Sequence, residues 1–160
     1  MKKLCLLLLL ALALLPGTAQ EVVPEGFELW TAASLKQIDQ EIAKDAATNA
    51  HHIGLRHLAD FPNDLYMLSR READGVPEWH ENQADVFVVE SGSAALIVGG
   101  TLEGAEITEP HEKRNGTIRG GIQRKLAAGD IVRIPAKTPH QLLLDGAHEF
   151  TYFVIKLKGY

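Results

Sequence analysis

The sequence predicts an all-β domain, a sandwich or barrel, preceded by a single α-helix. Two features carry that prediction. From His52 onward, short runs rich in Val, Ile, Leu, Tyr and Phe alternate with Gly, Pro, Asn and Asp, the texture of strands separated by turns. Before that point, residues 31–50 are rich in Ala, Gln, Lys and Glu, with Leu35, Ile38, Ile42 and Ala46 at intervals of three and four, which places one apolar stripe along a helix.

The chain opens with a segment that does not belong to this fold. Met1-Lys2-Lys3 is a short positive start, residues 4–15 are an almost unbroken Leu and Ala run, and Pro16-Gly17-Thr18-Ala19 supplies small residues before polar sequence begins. This is the layout of a secretory signal peptide over residues 1–19, cleaved after Ala19 or Gln20. An apolar run of about 12 residues is shorter than the roughly 20 that cross a bilayer core. Residues 20–50 then form an extension carrying the helix, and residues 51–160 the β domain. The expected location is the periplasm or the extracellular space. The one cysteine of the sequence, Cys5, lies in the leader, so the mature chain has neither disulfide nor thiol nucleophile nor thiolate zinc site. A domain of about 140 residues has a large enough core to fold without cross-links.

The formal charge is −5, and Lys and Arg are scattered rather than gathered in a stripe, which argues against a nucleic-acid partner. No segment after the leader is apolar for long enough to span a membrane as a helix, so no stable membrane association is expected once the leader is removed.

Ser34, three residues before Gln37, suggests a capping box at the helix start. Strands are predicted over 53–59, 65–70, 85–90, 94–98, 117–123, 130–134, 141–144 and 150–156. Glu90-Ser91-Gly92-Ser93 reads as a tight hairpin turn and Asp145-Gly146 as another. Residues 99–116, with Pro110, Asn115 and Gly116, read as a surface excursion.

Chemistry concentrates in two stretches. In the first, Glu78, His80 and Asp85 lead into the apolar run that ends at Gly92. Residues two apart on a strand share a face, so Glu78 and His80 point the same way, and a turn before Asp85 lets both arms face one pocket. In the second, Gly129 to His140, another apolar run ends in Pro139-His140. Two imidazoles with one or two carboxylates suit Fe(II), Mn(II), Zn(II) or Ni(II), and two His with one carboxylate leave coordination positions open. Glu78 has three readings: fourth ligand, proton carrier beside the metal, or an acceptor that orients a ligand. For Asp85 the structural alternative to a ligand is a turn residue bonding backbone groups. Asn82 is most simply a turn residue.

These two stretches resemble the paired motifs of the cupins, small β-barrels of jelly-roll type. The first cupin motif runs His-x-His, three or four residues, Glu, six residues, Gly. Counting back from Gly92 puts Asp85 in the glutamate position, His80 on the second histidine and Glu78 where the first would stand, similar to the Glu-x-His-x4-Asp of some sugar-related cupins. A second register, with His80 as first histidine and Asn82 as the replaced second, brings Asp85 one residue closer than usual. The second motif is matched by Gly129, Pro135 and His140 without a gap, with Lys137 replacing the usual glycine.

The resemblance covers about residues 65–156. It implies a cupin-type jelly-roll β-barrel with an N-terminal α-helix and one divalent metal ion held by His80, His140, Asp85 and Glu78, with Glu78 as the catalytic candidate. It also implies a small-molecule ligand or substrate and, since small cupins often pair through their sheets, a homodimer. The family includes dioxygenases, isomerases, epimerases, decarboxylases, storage proteins and sugar-binding domains, so membership does not select a chemistry. A metal-dependent dioxygenase or isomerase acting on a small oxygen-rich substrate is the leading expectation. A non-catalytic module for a small molecule or carbohydrate is the alternative.

The remaining histidines, His51, His52, His57, His111 and His148, read as surface residues. Arg70, Arg71 and Arg133 read first as solvated strand-end charges and second as holders of an anionic substrate. Trp79, between two candidate ligands, faces away from them and packs. Phe87, Val89, Leu96, Val98, Ile131, Leu142, Leu144, Tyr152 and Val154 are the expected lining. No Gly-x-Ser-x-Gly elbow or phosphate loop is present.

Overall fold

A computed structural model describes residues 22–160, so the expected signal peptide lies outside the described residues. In chain order the elements are α1 (Ala32–Thr48), β1 (Ile53–Asp60), β2 (Asp64–Arg71), β3 (Glu78–His80), β4 (Gln83–Val98), β5 (Thr101–Glu103), β6 (Glu106–Glu109), β7 (Glu112–Arg114), β8 (Thr117–Arg119), β9 (Ile122–Ala127), β10 (Ile131–Ile134), β11 (His140–Leu143) and β12 (Phe150–Lys158). Among the described residues, no helix is long and apolar enough to cross a membrane.

The helix lies where its apolar stripe predicts, and Ile42 and Ala46 are its buried members. Its cap differs from the expected box. Thr31 is the N-cap, its Oγ1 accepting from the Ser34 N–H at 3.1 Å, so Ser34 sits inside the first turn. The helix packs on β1 so closely that a Cβ on Gly54 would stand 2.0 Å from the Ile42 carbonyl oxygen, which is why glycine is needed there. Asp39 adds a polar tie, accepting from Thr151 Oγ1 at 2.9 Å and pairing with Arg70 at 3.4 Å.

The main sheet runs β1-β2-β12-β4-β11-β3-β7-β6, and β9 and β10 also pair with β4. Its spine is β4, predicted as two strands joined by a hairpin turn and observed as one strand of 16 residues. The first half pairs with β12 and β10, the second with β9 and β11. Between them the register against β12 slips at Thr151/Tyr152, and Glu90 is the extra, exposed residue of a bulge. Gly92 follows at φ 75°, and a Cβ there would meet the Glu149 carbonyl oxygen at 2.1 Å. The glycine therefore bends a continuous strand from one sheet half into the other instead of reversing it.

Bending β4 curls the sheet around one core. Met67 of β2, Phe87, Val89, Ala94 and Leu96 of β4, Leu126 of β9, Ile134 of β10, Leu142 of β11 and Phe150, Tyr152 and Val154 of β12 pack into a single cluster with Leu144. Ile131, expected in the lining, points outward and is 70% exposed, because Ile134 takes the inward position of its short strand. The Asp145-Gly146 turn is present, with φ 50° and 83° and a hydrogen bond from the Ala147 N–H to Leu144 O.

The 99–116 excursion is more ordered than expected, containing β5, β6 and β7. The predicted strand over 117–123 is two strands, β8 and β9, separated at Gly120-Gly121. Glu112, Lys113 and Arg114 have weak strand preference, but β7 is sandwiched between β3 and β6 and the ladder holds it. On the outer face, Trp30 packs on Tyr66 and Phe153 with ring centroids 5.1 and 5.6 Å apart.

Candidate metal centre

Cross-strand register assembles the site. His140 stands opposite Glu78 in the β11–β3 ladder, Glu78 opposite Arg114 and His80 opposite Glu112 in β3–β7, and Lys156 opposite Asp85 in β12–β4. Residues facing each other in this way have side chains within contact distance. His80 and Asp85 are joined by a turn at Glu81-Asn82, as expected of Asn82, but β3 and β4 do not pair; each reaches the pocket from its own ladder.

The second stretch is tied to the first by its backbone. Lys137, at the position where the cupin motif has glycine, adopts φ 61°, and its N–H donates to His80 O at 2.7 Å. The lysine thus takes the left-handed conformation that glycine adopts freely, and the loop aims His140 at His80. The two rings lie 5.3 Å apart by centroid.

Glu78, His80 and His140 each present a ligand atom within 4.8 Å of the others, close enough to hold one metal ion. Asp85 Oδ2 lies 3.2 Å from His80 Nε2 and 3.4 Å from His140 Nε2, while its Oδ1 takes the Lys156 ammonium at 2.9 Å. His80, Asp85 and His140 are all buried. The carboxylate of Glu78 is held from two sides, by Arg71 at 3.2 Å and by Arg114 at 2.9 Å.

The donor chemistry fits a cation. His80 Nδ1 is hydrogen-bonded to the Glu112 carboxylate, and His140 Nδ1 lies 3.1 Å from Thr138 O. Both partners are acceptors, so each Nδ1 carries the proton and each Nε2 turns a lone pair into the pocket. That is the arrangement by which an outer carboxylate or carbonyl orients a metal-binding imidazole. The approaches of Asp85 Oδ2 to the two Nε2 atoms would otherwise set acceptor against acceptor. They need a positive centre beside them: a metal ion, a proton that makes the ring an imidazolium or, at His80, the Lys156 ammonium, which lies 3.1 Å from Nε2 and 2.9 Å from Asp85 Oδ1.

Electrostatics favour ionised acids. Burial by itself pushes the Glu78 carboxyl up, but Arg114, His140, Arg71 and Lys156 outweigh it and hold the group below the usual carboxylate range. Burial acts on Asp85 in the same sense and is overcome more strongly, by hydrogen bonds with His140 and His80 and by the charges of Lys156 and His80, so its carboxyl lies far below the ordinary value.

Glu78, Asp85 and His140 line a cavity of about 120 Å³, together with the apolar or aromatic Phe87, Leu142, Tyr152 and Val154 and the polar Arg71, Gln141 and Lys156. A second cavity of about 430 Å³ adjoins it and shares Met67, Arg114 and Lys156 as a partition, with His57, Glu109, His111 and Lys158 beyond.

Of the three arginines singled out in the sequence, Arg71 enters the site. Its Nε donates to Tyr152 Oη at 3.0 Å. Arg70 instead pairs with Asp39, Glu72 and Glu149, and Arg133 bonds Tyr160 Oη at the surface. Trp79 faces away as expected, with the Lys113 amine 4.5 Å above its ring. His111 pairs with Glu81 at 2.7 Å, exposed, and His57 only borders the second cavity. His51, His52 and His148 are exposed.

Glu112, Arg114 and Lys156 were not legible as site residues. Lys156 had a signal: it continues by two the inward parity of Tyr152 and Val154. For Glu112 and Arg114 there was none, since the excursion gave no strand to assign parity to.

No protein-family model matches the sequence, and no curated protein matches it. Solved structures do. BH2720 of Bacillus halodurans aligns with 87% of this chain and 88% of its own at 15% identity, with a TM-score of 0.53. The cupin domain of Schizosaccharomyces pombe Cnp3 aligns over 66% of this chain and 64% of its own at 8% identity, with a TM-score of 0.50. A cupin 2 conserved barrel domain protein from Rhodopseudomonas palustris aligns over 66% and 60% at 17% identity, with a TM-score of 0.46.

Similarity at these identities concerns the fold. The chain has the fold of the cupin superfamily, a curled jelly-roll sheet with a helix at its N-terminal side. Within that fold it carries a His/Glu group able to hold a metal ion.

Proposed function

We propose that this protein is an exported cupin that binds one divalent metal ion, Fe, Mn, Zn or Ni, and acts as a metal-dependent dioxygenase or isomerase on a small, oxygen-rich acid. The observation that carries the reading is the convergence of two Nε2 lone pairs and the Glu78 carboxylate, with each Nδ1 held by an acceptor behind it. His80, His140 and Glu78 would hold the metal, with Asp85 beside them. When bound, the metal supplies Lewis acidity to a substrate oxygen or a coordination position for dioxygen.

The chain's own groups define what enters. A cavity of about 120 Å³ suits a small molecule. Arg71 and Arg114, already turned toward Glu78, offer N–H donors to a carboxylate of the substrate. Phe87, Leu142 and Val154 add apolar surface to the same cavity. Arg71 and Arg114 hold Glu78 ionised, which suits a carboxylate that holds a metal ion and makes it a weak proton acceptor.

The test is elemental analysis of the secreted protein purified without a histidine tag, as wild type and as His140→Ala. Near-stoichiometric metal in the wild type, lost in the variant, supports the reading. Equal absence of metal in both leaves a non-catalytic module for a small molecule or carbohydrate. The intact mass of the same preparation reports whether cleavage follows Ala19 or Gln20.

A further inference from the structure

We propose that Lys156 is a two-position lysine that competes with the metal for His80 and leaves its seat when metal binds. The inference rests on the metal reading above and concerns how that site is loaded. The Lys156 ammonium lies 3.1 Å from His80 Nε2 and 2.9 Å from Asp85 Oδ1. With Nδ1 of His80 committed to Glu112, the only lone pair of the ring is the one at Nε2. One lone pair cannot serve an ammonium N–H and a metal ion together. Occupancy by one displaces the other.

Charge gives the same answer. With neutral imidazoles, the three carboxylates Glu78, Asp85 and Glu112 are equal in number to the three cations beside them, Arg71, Arg114 and Lys156. A divalent ion added to that buried balance leaves two uncompensated positive charges, which is costly unless a cation leaves or an anion enters. The arginines are each held by one Glu78 oxygen and, for Arg71, also by Tyr152. Lys156 is a point charge on a flexible four-carbon stem. It also has somewhere to go: it lines both the inner cavity and the adjoining one, where Glu109 and Glu112 present carboxylates. Rotation of its side chain moves the ammonium from the ligands to the partition, where it remains available to an anionic substrate.

The experiment measures Zn²⁺ and Mn²⁺ binding by competition with a fluorescent chelator for wild type, Lys156→Met and His140→Ala, with circular dichroism to confirm folding. The expected result is binding at least tenfold tighter in Lys156→Met than in wild type, together with a lower melting temperature of that variant in chelator and a larger rise on adding Zn²⁺. Equal or weaker binding by a folded Lys156→Met overturns the competition and leaves the metal site standing. Absence of binding in wild type and both variants overturns the metal reading and this inference together. A measurement on the wild type covers the case in which Lys156→Met does not fold: limited acylation with an amine-selective reagent, read by peptide mass. Lys156 should label faster with saturating Zn²⁺ than with chelator, and an unchanged or slower rate overturns the proposal.

Discussion

Glu112 and the Thr138 carbonyl decide what the two buried histidines can do, because a ring whose Nδ1 proton is already committed has only Nε2 to offer. Removing such a partner frees the ring to rotate or change tautomer, and typically weakens metal binding by about 10–100-fold. Glu112→Ala should therefore bind Zn²⁺ weaker by about that factor in a chelator competition, with its circular dichroism unchanged and Glu112→Gln falling between it and wild type.

Asp85 makes a different prediction, in pH. Its folded-state carboxyl lies below the unfolded value of about 3.9, so the stability it contributes is complete above that value and is lost as pH falls toward the folded one. Asp85→Asn leaves the Lys156 ammonium without its anion and should cost about 3 kcal/mol at pH 7. In urea titrations the gap between wild type and variant should stay level from about pH 7 to 5 and narrow below about 4. A gap that widened on acidification would contradict this account.

At the scale of elements, β4 matters most, since it joins the two sheet halves and carries Asp85, Phe87 and Val89 into the core. Its bend depends on Gly92, whose backbone conformation and 2.1 Å approach to Glu149 O leave no place for a side chain. Gly92→Ala should lose about 2 kcal/mol or more in urea unfolding. Ser93→Ala, on the same stretch but without a positive φ, should stay within about 0.5 kcal/mol of wild type.

The same element explains a misreading of the sequence. Ser91-Gly92-Ser93 has turn composition, and from local chemistry a turn and a bulged bend look alike. What separates them is whether the following residues pair back on the preceding ones or on other strands. Here Ala94 to Val98 pair with β9, and Ala95 to Val98 also with β11. The helix and β12 were legible because their periods of 3.6 and 2 recur over many residues. Strands β6 and β7 were not, because four-residue and three-residue segments dominated by charge show no period, and their neighbours hold them in place.

Across the whole molecule, the cupin fold sets a buried, nearly charge-balanced cluster against a small cavity and closes it with a partition that Lys156 shares. The sequence by itself determined the helix, the all-β character of the rest, and the presence of His80, His140, Glu78 and Asp85 in two strand-ending motifs. These follow from local rules, the alternation of faces and the chemistry of side chains, which need no knowledge of what lies across the sheet. Only the tertiary structure decided which residues meet: Lys156 against Asp85, Glu112 against His80, and Arg114 against Glu78. Register is a property of pairs of strands distant along the chain, set by the bend in β4 and by the packing of a common core. A shift of one residue would turn each of those side chains to the opposite face.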